Sequence, residues 1–242
     1  MIHLKVEIWS DFVCPFCYIG KRRFEAALER FAHRSEVEVV YRSFELDPNR
    51  ENDNDESVHE MLASKYGMSV EQAKAANDNV ARQAAQVGLT YRFDEMVVPN
   101  TFDAHRLTHF AAERGKQEAL TERLLKAHFT ENLHLGRRET LADLAAEVGL
   151  DRGEAAAMLE SGRYADAVRG DEREAAALGC RGVPFFVLDR KFAVSGAQPE
   201  NVFAEALQSA WEASQPALSV IGDETDAACA DGVCAPTDAP KR

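Results

Sequence analysis

Residues 4–24 read LKVEIWSDFVCPFCYIGKRRF and contain the two cysteines of a C-x-x-C motif. Leu4, Val6 and Ile8 alternate with charged residues, which is the period-two pattern of a strand. After a short loop, Pro15 suits the first turn of a helix, where a missing N–H group costs nothing. The segment therefore predicts a strand followed by a helix that begins at the cysteines.

The rest of the chain alternates between sheet-like and helical patterns. Apolar alternation at residues 37–41 predicts a second strand. Residues 57–178 have helical periodicity almost throughout, and we expect five or six helices there. Strand character returns at residues 184–188 and 192–195, and residues 199–213 predict a last helix.

These pieces predict an α/β fold in which the two ends of the chain share one sheet. On this interpretation, residues 1–56 and 171–213 form one discontinuous domain, and residues 57–170 form an inserted helical domain. Residues 214–242 lack periodicity and predict a mobile tail, which carries a C-x4-C motif.

Composition and charge narrow the classes of function. The chain has 41 acidic and 28 basic residues, a formal net charge of −13, which disfavours non-specific binding to nucleic acid or anionic membranes. The N-terminus has no continuous apolar segment of a secretory signal, and no stretch approaches the roughly 20 apolar residues of a spanning helix. We therefore expect a cytoplasmic protein, in which paired cysteines are more often catalytic, redox-sensing or metal-binding than structural.

The C-x-x-C spacing at a helix start makes the two cysteines unequal. Cys14 lies where free N–H groups and the helix dipole stabilise negative charge, which favours the thiolate that acts as nucleophile in disulfide exchange. Cys17 lies one turn inside the helix. We therefore predict that Cys14 attacks a substrate sulfur and that Cys17 resolves the mixed disulfide, without a dissociable cofactor or a metal.

Two other interpretations of the motif remain open. The cysteines can be half of a zinc site, with Cys229 and Cys234 as the other two ligands. The spacing can also be accidental.

Three stretches of the sequence resemble a known family. They are IWSDFVCPFCYIGKRRFE, VPNTFDAHRLTHFA and GVPFFVLDRKFAVSGAQP, and the resemblance extends over about residues 2–212. They resemble the FrnE-type cytoplasmic branch of the DsbA-like thiol–disulfide oxidoreductases, within the thioredoxin superfamily. The resemblance implies a thioredoxin-like fold with a large inserted all-helical domain. It also implies oxidoreductase or isomerase activity on protein dithiols and disulfides, with glutathione or a thioredoxin-type reductant as a further partner.

The resemblance also assigns roles near the second half of the sheet. Pro184 matches a cis-proline that faces the cysteines, whereas the sequence alone favours an ordinary trans proline opening a strand. Val183 would present its backbone to an extended substrate, as a strand added to a sheet edge. Phe16 would contact substrate, in an apolar surface with Trp9 and the phenylalanines after Pro184. For Trp9 and one of those phenylalanines, we favour a position in the core.

Related proteins keep this fold and catalyse a different reaction. The kappa-class glutathione transferases and the 2-hydroxychromene-2-carboxylate isomerases resemble the same group but typically carry serine at the position of Cys14. Both cysteines are present here, which favours dithiol exchange over a glutathione-dependent isomerase or transferase. A metal-binding or redox-sensing thiol protein without turnover is the third alternative.

The three remaining cysteines lie outside the C-x-x-C motif. Asp231-Gly232 is a tight-turn dipeptide that would bring Cys229 and Cys234 together, and we predict a second redox pair there. A soft-metal site and an inert tail are the alternatives. Cys180 is expected to be a small buried apolar residue, or else a regulatory thiol.

His105 and His109 are four residues apart on one predicted helix. This spacing suits a metal, but Arg106 stands where the H-E-x-x-H pattern requires glutamate. We therefore expect an ordinary packed pair, which could border the substrate groove.

Overall fold

The computed structural model describes residues 4–52 and 56–215. The strands are β1 Leu4–Ser10, β2 Val37–Ser43, β3 Phe185–Leu188 and β4 Phe192–Ser195. The α-helices in these ranges are α1 Pro15–Arg30, α2 Val58–Tyr66, α3 Val70–Ala85, α4 Phe102–Ala112, α5 Gln117–Phe129, α6 Arg138–Glu147, α7 Arg152–Glu160, α8 Ala165–Ala177 and α9 Glu200–Ser214. Short 3-10 turns lie at Arg34–Glu36 and Phe93–Glu95.

The strands form one sheet in the order β2-β1-β3-β4. β1 is parallel to β2 and antiparallel to β3, so that Ile8 lies between Tyr41 and Phe186. β3 and β4 form an antiparallel hairpin. The prediction that the two ends of the chain share one sheet is therefore confirmed, and the fold is thioredoxin-like with a helical insert.

One face of the sheet is apolar. Leu4, Val6 and Ile8 are buried there in one cluster with Phe24 of α1 and Phe203 of α9. Burial of each large side chain of this kind contributes about 1.5–3 kcal/mol. Packing on this face fixes the position of α1, the helix that begins at the cysteines.

The opposite face carries a buried ionic network. Glu7 of β1 accepts hydrogen bonds from Arg42 of β2 and from Arg190, and Arg42 also contacts Asp171 of α8. The Trp9 indole N–H donates to the Asp171 carbonyl at 2.8 Å. Burial alone would raise the pKa of Glu7, but the hydrogen bonds from the two arginines lower it. These directional bonds attach α8 to the sheet.

The helical block between residues 57 and 178 contains seven α-helices, not the five or six that the sequence predicted. The sequence predicted too few helices because neighbouring short helices share one continuous hydrophobic periodicity. Gly149 has a φ of +83° between α6 and α7, and Tyr164 has a φ of +64° just before α8. Both positions force a break without a strong change in hydrophobic pattern.

Helix caps follow the sequence in part. Ser69 and Gln72 form a capping box at the start of α3, and Asp151 accepts from the Glu154 N–H at the start of α7. Thr140 has the same three-residue spacing to an acidic residue, Asp143, but it lies inside α6 and does not cap it, because that helix begins at Arg138.

The predicted domain boundary at residue 170 falls inside α8, which continues without interruption from Ala165 to Ala177. The C-x4-C motif and almost all of the predicted tail lie outside the described residues. Within the described part of the chain, no helix is long and apolar enough to cross a membrane.

Candidate redox site

Cys14 is the N-cap residue of α1. Its φ of −90° and ψ of 110° are extended, and Pro15 follows in the first helical turn, as the sequence predicted. The Cys14 main-chain N–H donates to the Asp11 carbonyl at 3.2 Å. Its thiol donates to the Val183 carbonyl at 3.4 Å, and the residue is 4% exposed. Cys14 therefore lies at the positive end of α1, against the loop that precedes β3.

Cys17 lies one turn further and faces inward. The residue is 2% exposed, and its sulfur contacts the Asp11 main-chain N–H at 3.5 Å. Burial raises the pKa of the Cys17 thiol well above its usual value, and the adjacent Cys14 raises it further. Hydrogen bonds from the Ser10 side chain and the Asp11 N–H act in the opposite direction. Cys14, Cys17 and Cys180 are all free thiols in the structure.

The loop before β3 faces the dithiol. The Val183–Pro184 peptide bond is cis, which is the conformation that the resemblance implies. The Pro184 carbonyl accepts from the Gly196 N–H at 2.8 Å, which connects this loop to the residue after β4. A Cβ atom at Gly20 of α1 would lie 2.9 Å from Pro184 Cγ, so the helix and this loop approach closely only because residue 20 is glycine.

Of the aromatic residues considered near the cysteines, only Phe16 is exposed, at 39%. Trp9, Phe185 and Phe186 are buried, and they belong to the cores on the two faces of the sheet. The expected core position of Trp9 and of one phenylalanine is therefore confirmed, and it extends to the second phenylalanine, so that Phe16 is the exposed ring of the four. Alternation along β3 places Phe185 and Phe186 on opposite faces of the sheet, and both faces are covered by helices.

A cavity of about 400 Å³ opens beside Val13, the residue before Cys14. Its walls include the apolar side chains of Leu46 and Met61 and the cationic side chains of Arg50 and Lys65. Arg50 donates to the Val98 carbonyl at 3.1 Å and to Glu56 at 3.0 Å. The cavity places apolar surface and charge next to the reactive end of the helix.

The two histidines of α4 contact different carboxylates. His105 Nε2 lies 3.3 Å from Asp11 Oδ1, and both residues are buried. His109 Nε2 lies 3.1 Å from Asp171 Oδ2 and 3.1 Å from Ser43 Oγ. They are therefore packed side chains, as the sequence predicted, but with separate carboxylate partners. No group of three or more potential metal ligands occurs among residues 4–52 and 56–215.

Several neighbours of the dithiol were not singled out from the sequence. The Tyr91 hydroxyl donates to the Pro15 carbonyl at 2.7 Å, and burial raises the pKa of Tyr91 far above its usual range. Ser10 and Asp11 contact Cys17 as described above. Tyr91 could not have been found, because it is 76 positions away along the chain. Ser10, the last residue of β1, and Asp11, which follows it, do have a signal in the sequence, since they are the last polar residues before the motif.

Cys180 contacts the Gly182 carbonyl at 3.3 Å and is only partly buried. Burial raises the pKa of its thiol. Cys229 and Cys234 lie outside the described residues.

A thioredoxin-like sheet, a helix that begins at a C-x-x-C dithiol and a facing cis-proline define the DsbA-like class of thiol proteins. The chain matches the model of the DSBA-like thioredoxin domain family over residues 5–208, and it belongs to that family. A FrnE-type position within the family is compatible with this match. Family membership supports a thiol–disulfide oxidoreductase.

Individual relatives are similar over most of the chain. YwbO of Bacillus subtilis (strain 168) is 30% identical over 212 residues, which cover 85% of this chain and 96% of that protein. The crystal structure of the probable DsbA oxidoreductase SCO1869 from Streptomyces coelicolor is 51% identical and has a TM-score of 0.85, covering 98% of this chain and 100% of that one. The cytosolic disulfide reductase DsbM from Pseudomonas aeruginosa, solved with GSH, is 18% identical with a TM-score of 0.60, covering 86% of this chain and 99% of that one. DsbM is therefore similar in fold alone.

Proposed function

We propose that the chain is a cytoplasmic protein disulfide oxidoreductase and isomerase in which Cys14 is the nucleophile and Cys17 the resolving thiol. The observation that carries this proposal is the unequal placement of the two sulfurs. Cys14 caps α1 and faces the Val183 carbonyl at 3.4 Å, whereas Cys17 is enclosed by Ser10 and Asp11.

The reaction has two exchange steps. The Cys14 thiolate attacks one sulfur of a substrate disulfide, which forms a mixed disulfide and releases the other substrate sulfur as a thiolate. Cys17 then attacks Cys14, which forms the intramolecular disulfide and releases the second substrate sulfur. The substrate is reduced by two electrons and the enzyme is oxidised. Glutathione or a thioredoxin-type reductant returns the enzyme to the dithiol. Release of the substrate by a different substrate thiol gives isomerisation without net electron transfer.

Substrate contacts are proposed on the open side of Cys14. The backbone at Val183 and Pro184 receives an extended segment of the substrate protein, and Phe16 covers an apolar side chain next to its cysteine. The cavity beside Val13 offers room for a further side chain. DsbM was solved with GSH, which supports testing glutathione as the reductant here.

Reduction of insulin and refolding of scrambled ribonuclease test the assignment. We expect Cys14→Ser to reduce both activities to the uncatalysed rate, because Cys14 is the thiol at the start of α1 that contacts the Val183 carbonyl. Cys180→Ser is the matched control and should retain both activities, since its sulfur contacts Gly182 instead of the dithiol. Glutathione-dependent activity that survives in Cys14→Ser would instead favour the isomerase or transferase alternative.

The second redox pair, Cys229 and Cys234, is tested in the same assays. If it exchanges electrons with Cys14 and Cys17, the double serine variant should turn over more slowly with protein substrates while the C-x-x-C dithiol stays intact. Unchanged turnover would contradict the relay.

A further inference from the structure

Tyr91 of the helical block contacts the first turn of α1. Its hydroxyl donates to the Pro15 carbonyl at 2.7 Å, and Pro15 is the residue that follows Cys14. Tyr91 is buried, so the hydroxyl does not exchange this partner for bulk solvent. The hydrogen bond therefore joins the helical block to the peptide group next to the reactive cysteine.

The helical block holds Tyr91 in a fixed position. The carbonyl of Thr90, just before it, accepts from the Thr130 side chain at 2.8 Å. The N–H of Arg92, just after it, donates to the Phe129 carbonyl at 3.0 Å. The Tyr91 ring also stacks on the Phe129 ring, with 4.6 Å between the centroids. Contacts within the helical block thus aim the hydroxyl at the start of α1.

The contacted carbonyl of Pro15 shares a peptide group with the Phe16 N–H. Cys14 is the N-cap residue of α1, and the side chain of an N-cap residue lies within reach of the N–H groups of the second and third helical residues. The third is Cys17, whose N–H donates to the Cys14 carbonyl at 3.0 Å. The second is Phe16, whose N–H has no hydrogen-bond partner among residues 4–52 and 56–215. This N–H is therefore free to donate to the Cys14 sulfur.

The Cys14 side chain changes its hydrogen-bonding role when it ionises. In the dithiol, the thiol donates to the Val183 carbonyl at 3.4 Å, and no side-chain hydrogen bond caps α1. A thiolate has no proton to donate, so ionisation removes the bond to Val183 and leaves a sulfur that only accepts. The Phe16 N–H is then a neighbouring donor, and hydrogen bonds to an ionised acceptor are stronger than those between neutral groups.

We propose that Tyr91 is a positioning residue for the thiol chemistry, because its hydrogen bond to the Pro15 carbonyl strengthens the Phe16 N–H as a donor to the Cys14 thiolate. A peptide group that accepts at its oxygen is polarised, and it donates more strongly at its nitrogen. The inference rests on the proposed function, in which Cys14 is the nucleophile. It adds to that function a contribution from the helical block.

Tyr91 remains a neutral donor while the cysteines titrate. Burial raises the pKa of its hydroxyl far above the usual range, and the nearby sulfurs of Cys14 and Cys17 raise it further. Tyr18 and Arg22 of α1 also interact electrostatically with Tyr91. These groups all stay in place in Tyr91→Phe, which keeps the ring and removes only the hydroxyl. A difference between this variant and the parent protein therefore reports on the bond to Pro15.

Alkylation by iodoacetamide measures ionisation of Cys14, because only the thiolate reacts. The parent protein is the full-length chain with Cys180→Ser, Cys229→Ser and Cys234→Ser. The alkylation rate is followed against pH, and mass spectrometry identifies the modified cysteine. The midpoint of the curve is the pH at which half of Cys14 is ionised. Equilibration with reduced and oxidised glutathione over the same pH range gives the ratio of the Cys14–Cys17 disulfide to the dithiol.

We expect Tyr91→Phe to weaken ionisation of Cys14 by about two- to fivefold, which raises the midpoint by about 0.3 to 0.7 pH units. Above both midpoints, the equilibrium constant for disulfide formation should rise by the same factor, because the dithiol loses part of the stabilisation of its thiolate. Well below both midpoints, Cys14 is protonated in both proteins, and the two equilibrium constants should coincide.

Tyr18→Phe is the matched control for loss of a buried hydroxyl. Tyr18 stacks on Tyr91, but its hydroxyl donates to Glu122 instead of to the start of α1. This variant should keep the midpoint of the parent protein. Tyr91→3-fluorotyrosine should lower the midpoint, since a more acidic hydroxyl is a stronger donor, and it provides the test if Tyr91→Phe fails to fold.

The results that contradict the role of Tyr91 differ from those that contradict the proposed function. An unchanged midpoint in Tyr91→Phe, with Cys14 still alkylated before Cys17, would overturn the role of Tyr91 alone. So would a change in the equilibrium constant that is equal at low and high pH, since a packing defect does not follow the ionisation of Cys14. Alkylation of Cys17 before Cys14 in the parent protein would overturn the proposed nucleophile and this inference with it.

Discussion

Two sides of the same dithiol differ sharply. The outer side, defined by Cys14, Phe16 and Val183, carries the exposed ring of Phe16, and Val13 next to Cys14 lines a cavity of about 400 Å³. The inner side, defined by Cys17, Ser10 and Asp11, is closed and polar. Identical side chains three positions apart thus acquire different chemistry because one helical turn rotates the second into the protein.

The two sides are also built by different parts of the chain. Loops at the ends of β1 and before β3 form the outer side. The inner side combines the end of β1 with α4 and α5 of the helical block, which contribute His105 and His128. The inner side should therefore respond strongly to pH and to buried substitutions, whereas the outer side should respond mainly to substrate size.

The largest expected effect concerns His128 on the inner side. Burial lowers the pKa of His128 to about 4 from an ordinary value of 6.5, nearby Asp11 acts against this shift, and His134 adds to it. The unfolded chain takes up this proton near pH 6.5 and the folded chain only near pH 4, so stability is lost as the pH falls between these values. The full loss is on the order of 3 kcal/mol.

The variant His128→Leu should remove this loss, because a leucine does not titrate and the buried Nε2 has no partner among the described residues. Urea unfolding at pH 7 and at pH 4.5 measures the difference. The exposed His33 gives the control His33→Leu, which should keep the wild-type pH dependence. An unchanged pH dependence in His128→Leu would mean that His128 is not held neutral.

An intermediate effect is expected where α1 meets the outer loop. The Cβ atom of Gly20→Ala would lie 2.9 Å from Pro184 Cγ and 3.4 Å from Ala197, so Pro184 must move relative to Cys14. Overpacking costs about 1–3 kcal/mol, partly offset by about 1 kcal/mol from the higher helix propensity of alanine. We therefore expect a lower melting temperature and slower insulin reduction.

Gly170→Ala on α8 is the matched substitution, because its Cβ would meet only Arg173 Nη2, at 4.0 Å. It should stabilise the protein by up to about 1 kcal/mol and leave activity unchanged. If the two alanine variants behave alike, the close approach of Gly20 to Pro184 has no functional importance.

The smallest effect on stability is expected for Phe16→Ala. The ring is 39% exposed, and surface substitutions of this kind usually stay within about 0.5 kcal/mol. The KM for a protein substrate should rise, while the rate with a small aromatic disulfide should hardly change. Equal losses of activity with both substrates would show that Phe16 does not contact the protein substrate.

The sequence alone predicted those features of the dithiol and the sheet that depend on neighbouring residues. The position of Cys14 at a helix start follows from Pro15 and from the strand before it, and the shared sheet follows from the pattern of the two ends. The cis peptide at Pro184 came only from family resemblance, because nothing local distinguishes it from a trans bond. Long-range partners escaped prediction, since His105 reaches Asp11 across 94 positions of the chain. The predicted number of helices was too low because Gly149 and Tyr164 interrupt the helical conformation without changing the hydrophobic periodicity.

The most direct test of the division between the two cysteines is covalent trapping of a protein substrate. Scrambled ribonuclease is mixed with Cys17→Ser and with Cys14→Ser, the reaction is quenched with acid, and non-reducing mass spectrometry identifies the adducts. We predict that Cys17→Ser accumulates a mixed disulfide through Cys14 and that Cys14→Ser forms none through Cys17. Comparable adducts from the two variants, or an adduct through Cys17 alone, would contradict the assignment of an outer nucleophile and an inner resolving thiol.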